Sequence, residues 1–123
     1  MKTPILNLTQ HNATNDQLLA GVVDVAQEDK TALTAALTFT SLPAQAELKD
    51  HAKRVAELAT KYGVSTAMIG GAPYFMSVLE KTLMEAGIKP VYAFSTRQCV
   101  ETQNADGTTT KTMVFKHLGF VEC

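Results

Sequence analysis

Three short segments contain the side chains of this chain that are best suited to chemistry. Residues 9–12 include an imidazole, which exchanges protons near neutral pH. Residues 70–74 open with two glycines, which let the backbone approach an anion closely. Residues 95–97 combine two hydroxyls with a guanidinium, whose planar fork matches phosphate oxygens. The candidate residues are Thr9, Gln10, His11, Asn12, Gly70, Gly71, Ala72, Tyr74, Ser95, Thr96 and Arg97.

Each of these segments directly follows a short apolar run of the length typical of a buried strand. Helical patterns separate the runs, and strands that alternate with helices form parallel sheets with right-handed crossovers. The sequence therefore predicts an α/β fold, a Rossmann-like three-layer sandwich with a parallel core sheet. The predicted elements are a strand at 5–8, a short helix before Gly21, a helix within 28–38, a helix over 43–62, a strand at 64–69, a helix over 73–86 and a strand at 90–94.

A ligand site is expected where these three strands end. The carboxyl ends of neighbouring parallel strands meet at one edge of the sheet, where open α/β folds bind their ligands. Each segment also has a purely structural explanation, namely a loop cap at His11, a tight turn at Gly70–Gly71 and a surface arginine at Arg97. Asn7, within the first strand, is expected to tie two loops together or to contact the ligand. His117 is a secondary candidate.

The residues after Arg97 are extended and surround Asp106-Gly107, which is a strong hairpin signal. A two-residue turn at this dipeptide would place Val100 opposite Met113 and Gln98 opposite Phe115. The sequence thus predicts a C-terminal antiparallel hairpin at one edge of the sheet.

Composition narrows the possible partners. The 123 residues suit one domain spanning 1–123, and 46% of them are hydrophobic. The net charge is −1 and no basic run is present, which argues against long nucleic acid but not against a small phosphate-bearing ligand. No stretch approaches the roughly 20 apolar residues of a membrane helix, so no membrane partner is expected. Cys99 and Cys123 lack a disulfide-like spacing, and we expect reduced thiols in the cytoplasm.

The sequence lacks the motifs that are typical of several common chemistries. The three histidines and two cysteines show no metal-ligand spacing, so no metal is expected. The chain has neither G-x-G-x-x-G nor the Walker pattern, and no cofactor is indicated. It also lacks the G-x-S-x-G elbow of acyl transfer.

The opening strand and loop resemble those of the small CRISPR-associated ring nuclease group, whose members are Rossmann-like single domains similar to CARF sensor domains. In that group an asparagine in the first strand is followed by a hydroxyl residue and a histidine, which correspond here to Asn7, Thr9 and His11. The resemblance covers the run Leu6-Asn7-Leu8-Thr9-Gln10-His11-Asn12-Ala13-Thr14.

This resemblance implies a cyclic oligoadenylate ligand, the second messenger of type III CRISPR antiviral defence, which many members cut without metal. It would give His11 a role in proton exchange, while Arg97 and the amides of Gly70 and Gly71 hold a phosphate that Ser95 and Thr96 position. It also implies a homodimer around a two-fold symmetric ring. Two alternatives stay open: a non-catalytic module that binds a nucleotide or phosphorylated metabolite, and an interaction protein whose strand ends are only tight turns.

Overall fold

Five strands form one sheet in the structure, a computed structural model that describes residues 3–123 apart from the side chains of residues 96–100 and 113–116. The order in the sheet is β2-β1-β3-β4-β5, and every neighbouring pair is parallel except β4 and β5. This confirms the predicted Rossmann-like α/β fold with its C-terminal antiparallel hairpin. In chain order the elements are β1 (Ile5–Asn7), α1 (Asn15–Leu19), β2 (Val22–Asp24), α2 (Gln27–Leu37), α3 (Gln45–Lys61), β3 (Thr66–Met68), α4 (Pro73–Glu85), β4 (Lys89–Gln103) and β5 (Thr109–Glu122).

The three strands predicted from apolar runs are neighbours. Leu6 of β1 pairs with Ala67 of β3, and Ala67 pairs with Pro90 of β4. Because the three strands run in the same direction in this register, the loops after β1 and β3 leave the sheet at one edge, next to Tyr92 and Ala93 of β4.

Helices α2, α3 and α4 cover one face of the sheet and form the main core with it. Helix α3 is amphipathic because its small and branched residues recur every three to four positions. Helix α4 begins at Pro73, whose fixed φ suits the first helical position. The largest fully buried side chains are Phe75, Leu6, Leu8, Leu33, Ile69, Leu79, Leu83, Val55 and Pro90.

The opposite face of the sheet has a smaller core made by Val22, Met68 and Val91. Helix α1, which has no buried residue of its own, lies against β2 and β5. Its start is fixed by a capping box between Thr14 and Gln17. Three helices therefore cover one face of the sheet, whereas only the short helix α1 lies against the other.

Strand β2 was not among the predicted elements. Its three residues are too few to show a two-residue alternation of polar and apolar side chains, and helix-favouring residues follow within α2. Parallel pairing with β1, Ile5 to Val22 and Asn7 to Asp24, fixes this segment as the edge strand. Tertiary pairing thus decides a segment that local sequence leaves ambiguous.

Strand β4 does not end at Phe94, as the sequence suggested, but continues to Gln103. A β-bulge interrupts its pairing with β5 between Phe94, opposite Gly119, and Ser95, opposite His117. The residues predicted to form a strand end therefore lie in the middle of a long hairpin.

The hairpin turn has three residues rather than the predicted two. The Asn104 N–H donates to the Thr108 carbonyl at 2.8 Å, and Gly107 adopts a left-handed φ of 87°. The Asp106 carboxylate accepts the Thr108 N–H at 3.0 Å and so fixes this turn. The extra loop residue shifts the predicted register by one, so that Val100 pairs with Thr112 and Gln98 with Val114.

Candidate functional site

A cleft of about 640 Å³ lies at the carboxyl edge of the sheet. The loops after β1 and β3 form its two sides, while Tyr92 and Ala93 of β4 and Leu37 of α2 complete its lining. Its size is within the range of about 300–1,000 Å³ usual for small-molecule sites. Seven of the predicted residues line it: Thr9, Gln10, His11, Asn12, Gly70, Gly71 and Ala72.

Asn7 lies beneath the β1–α1 loop, only 3% exposed, and all of its hydrogen-bonding capacity is used within the chain. Its Nδ2 donates to the His11 carbonyl and to the Asp24 Oδ1, each at 2.7 Å. Its Oδ1 accepts the Thr9 N–H at 2.9 Å and the Thr9 hydroxyl at 2.6 Å. These bonds correspond to the loop-tying role that the sequence suggested for this residue.

Asp24 was missed as part of this network. Its Oδ1 also accepts the Ala13 N–H at 3.1 Å, so β2 holds both ends of the β1–α1 loop. The pairing of Asp24 with Asn7 depends on β2 being a strand. No local sequence signal near Asp24 indicates such a contact.

His11 stands at the outer part of this loop. Its backbone is fixed, because its carbonyl accepts from Asn7 and its N–H donates to the Thr9 hydroxyl at 3.3 Å. Its side chain is exposed and makes no hydrogen bond to the described residues. The loop therefore presents a free imidazole to the cleft on a fixed backbone.

The β3–α4 loop faces the cleft with backbone rather than side chains. Gly71 has a φ of 154°, a conformation that favours glycine, and a Cβ there would lie 3.3 Å from the Met76 Cε. The N–H groups of Gly70, Gly71, Ala72 and Tyr74 have no partner among the described residues. Together with the N-terminus of α4, these amides offer partial positive charge to an anion.

The floor of the cleft is apolar apart from Tyr92. The Tyr92 hydroxyl donates to the Glu80 Oε2 at 2.9 Å, and burial together with this carboxylate raises the pKa of the tyrosine. The Cys123 thiol lies near the same carboxylate, and loss of solvent with this charge raises its pKa to about 11. Both groups therefore stay protonated at neutral pH, and neither is a ready nucleophile.

Ser95 lines a neighbouring cavity of about 270 Å³ rather than the main cleft. His117, its partner across the hairpin, lines the same cavity, and neither ring nitrogen has a hydrogen-bond partner among the described residues. Thr14 and Gln17 line both cavities, so the two are contiguous along α1.

Tyr74, a further predicted residue, is not part of the cleft lining. Tyr74 is half exposed and contacts the Phe39 ring edge-on, with centroids 6.0 Å apart. Thr96 and Arg97 belong to β4, but their side chains lie outside the described part of the structure, as does that of Cys99.

Over residues 3–123, apart from the nine side chains excluded above, no three His, Cys, Asp or Glu side chains lie close enough to hold a metal ion. In that same described part, every helix is too short or too polar to cross a membrane.

Comparison with protein families gives a match to a family model that covers residues 3–121. The chain belongs to the Uncharacterized protein MJ1673 family. The match extends from β1 to β5, and every element that lines the cleft is within it. Comparison with curated proteins and with solved structures finds no match. The family description names no activity, so the site geometry is the basis for a functional hypothesis.

Proposed function

We propose that this member of the family binds cyclic oligoadenylate and cleaves it without metal, as a ring nuclease. The observation that supports this most is the meeting of two groups in one cleft: the free imidazole of His11 and the unpartnered amides of Gly70, Gly71 and Ala72. The amides suit a phosphodiester, and the imidazole suits the proton transfers that its cleavage needs.

The proposed reaction is an in-line attack of a ribose 2′-hydroxyl on the adjacent phosphorus. The new bond joins the 2′-oxygen to phosphorus, and the bond between phosphorus and the 5′-oxygen breaks. The proton lost from the 2′-hydroxyl is balanced by a proton delivered to the 5′-oxygen, and His11 takes part in this exchange. The product is a linear oligoadenylate with a 2′,3′-cyclic phosphate. The amides stabilise the charge that develops on the phosphate oxygens.

The size of the cleft favours two copies of the chain around one ring. About 640 Å³ encloses a ligand of ordinary drug size, which is only part of a ring of four or six nucleotides. A two-fold symmetric ring would fit across the clefts of a homodimer, the commonest closed assembly. A ring that extends beyond the cleft would also reach the neighbouring cavity, where Ser95 would position a phosphate. The proposal implies a cytoplasmic protein of antiviral defence.

Incubation with cyclic tetra-adenylate and cyclic hexa-adenylate in the presence of a chelator, followed by chromatography, tests this proposal. We expect a linear product from one of the two rings. His11→Ala should lower the rate by at least about a hundredfold while affinity changes little, because general acid–base catalysis contributes that much. His51→Ala, on α3 outside both cavities, is the matched control and should retain the rate once circular dichroism shows that it is folded. Neither binding nor turnover of either ring by the wild-type chain would refute the proposal.

A non-catalytic binding module is the second candidate. It is favoured by the fact that the described lining contains one histidine and no carboxylate, while Ser95 lies in the neighbouring cavity. Thermal-shift measurements with mononucleotides and cyclic oligoadenylates would distinguish the two. A ligand at about 100 times its dissociation constant stabilises by about 2.7 kcal/mol. Stabilisation without any turnover would support the binding module.

A further inference from the structure

A phosphate-bearing ligand would find little positive charge on the side chains of the cleft. None of the described lining residues is a lysine or arginine, and His11 adds a charge only when it is protonated. A phosphodiester is an anion at neutral pH, and removing an anion from water is costly unless it gains a charged or hydrogen-bonding partner. The backbone amides supply only partial charges. A cation just outside the lining would complete such a site.

Lys30 of α2 stands at that position. Its Nζ donates to the Oδ1 of Asn12, and Asn12 lines the cleft. It is the one described lysine or arginine that is hydrogen-bonded to a side chain of the lining. Its side chain is partly buried, so its aliphatic part is held against the protein and its charge is kept near the rim.

The charge of Lys30 is not neutralised within the described part of the chain. Lys61 is paired with Asp29 and Lys89 with Glu122, whereas Lys30 has no carboxylate within ion-pair distance among the described residues. Its partner Asn12 is a neutral amide. The bond between the Lys30 ammonium and this amide has one charged partner, whereas a bond to a phosphate would have two of opposite sign, so a phosphate would compete well with the amide. The ammonium also has two further N–H donors.

We infer that Lys30 binds a phosphate of the ligand and is held ready for it by Asn12. This inference rests on the proposed function, because it assigns the counter-charge for the same cleft. Lys30 joins the amides of the β3–α4 loop on the opposite side, so the phosphate is held between a full and several partial positive charges. The alternative is an ordinary solvated surface lysine, whose removal would change nothing in the cleft.

Binding measurements on three variants test this inference. Lys30→Gln removes the charge but keeps a donor, Lys30→Arg keeps the charge, and Lys53→Gln removes one charge from an exposed position on α3 outside the cleft lining. The probes are the two cyclic oligoadenylates and inorganic pyrophosphate, each titrated at about 50 and about 200 mM salt. Circular dichroism checks that each variant is folded.

We expect Lys30→Gln to weaken binding by about tenfold and to reduce its salt dependence, because a hydrogen bond to a charged group is lost. Lys30→Arg should bind nearly as the wild type does, and Lys53→Gln should bind unchanged. In nuclear magnetic resonance titrations, pyrophosphate should shift the Asn12 side-chain amide signal of the wild type but not of Lys30→Gln.

The outcomes separate this inference from the proposed function. If the wild type binds a ring and Lys30→Gln binds it equally well, the role of Lys30 is refuted while the function stands. If the wild type binds pyrophosphate through Lys30 but neither ring, the role stands and the function is refuted. If the wild type binds no probe at all, both are refuted.

Discussion

The two loops that border the cleft are built in opposite ways. The β1–α1 loop is tied by side chains, since Asn7 bonds to Thr9, His11 and Asp24. The β3–α4 loop has no such ties among the described residues, and its course depends on backbone conformation at Gly71. Both follow strands of the same sheet and open into the same cleft.

This difference indicates a division of labour. A loop whose polar groups are satisfied internally is rigid and can hold a catalytic side chain in place, as the first loop holds the backbone of His11. A loop whose amides are left without partners can give them all to a ligand, as the second can. We therefore expect substitutions that break the side-chain ties of the first loop to act mainly on stability, and those that change the backbone of the second loop to act on binding as well.

Asn7→Ala is the strongest test of the first half of this comparison. It leaves the Thr9 N–H without its partner and removes one of the hydrogen bonds of the His11 carbonyl and of the Asp24 carboxylate, next to a buried strand. We expect the free energy of unfolding to fall by about 3 kcal/mol, since each unsatisfied buried group costs about 1–3 kcal/mol. Urea denaturation followed by circular dichroism measures this change.

Asn104→Ala provides the control for Asn7. Asn104 also donates two side-chain hydrogen bonds, to Thr108 and Thr110, but it is exposed at the hairpin tip. Its loss should change stability by no more than about 1 kcal/mol, because water replaces the lost partners. Equal losses for the two variants would show that the Asn7 network does not hold the first loop.

Gly70 and Gly71 of the second loop can be compared as a matched pair. We expect their substitutions to cost less stability than Asn7→Ala does. Gly71→Ala forces alanine into a φ of 154° and brings its Cβ to 3.3 Å from the Met76 Cε. At Gly70 a Cβ would make only an ordinary contact, 3.5 Å from the Thr9 Cγ2. We expect Gly71→Ala to cost about 1–2 kcal/mol and to weaken ligand binding, whereas Gly70→Ala stays near the wild type in stability. Isothermal titration with the bound ring, alongside denaturation, compares them, and equal behaviour would contradict a loop set by Gly71.

The architecture could be predicted because apolar runs and helical spacing are local signals. The runs at 5–8 and 67–69 became β1 and β3, and Pro73 marked the start of α4. The prediction failed where pairing with another strand decides the structure. Strand β2 is defined by its pairing with β1, and β4 continues past Phe94 because β5 pairs with it beyond the bulge.

The part of the candidate site that lies directly after β1 and β3 could be predicted from the same local signals as the fold. Parallel order alone brings the segments at 9–12 and 70–72 into one cleft, so those residues could be named from the strand ends. Ser95 could not be placed, because its position depends on where β4 ends. Asp24 and Lys30 gave no signal, since their contacts with Asn7 and Asn12 join residues that are 17 and 18 positions apart.

The junction between β2 and α2 is a third region that can be compared with the two loops. It is the region where we expect the smallest change in stability. The Tyr62 hydroxyl accepts the Ala26 N–H at 2.7 Å and donates to the Asp29 Oδ2 at 2.5 Å, and Lys61 pairs with the same carboxylate. The Tyr62 bond and then Lys61 hold the pKa of Asp29 below its ordinary value of 3.8. Like the first loop, this junction is tied by side chains, but at a partly exposed position.

A carboxyl whose pKa is lower in the folded state stabilises the fold fully above its unfolded pKa, and this contribution is lost as the pH falls through the folded value. The difference in unfolding free energy between the wild type and Asp29→Asn should therefore be constant near neutral pH and shrink once the pH falls below 3.8. Denaturation between about pH 5 and about pH 2 measures it. Tyr62→Phe removes the first cause of the shift and should reduce the pH dependence. If the difference stays constant over this pH range, the contacts of Asp29 with Tyr62 and Lys61 do not stabilise the junction. Side-chain ties of this kind would then matter only where they are buried, as at Asn7.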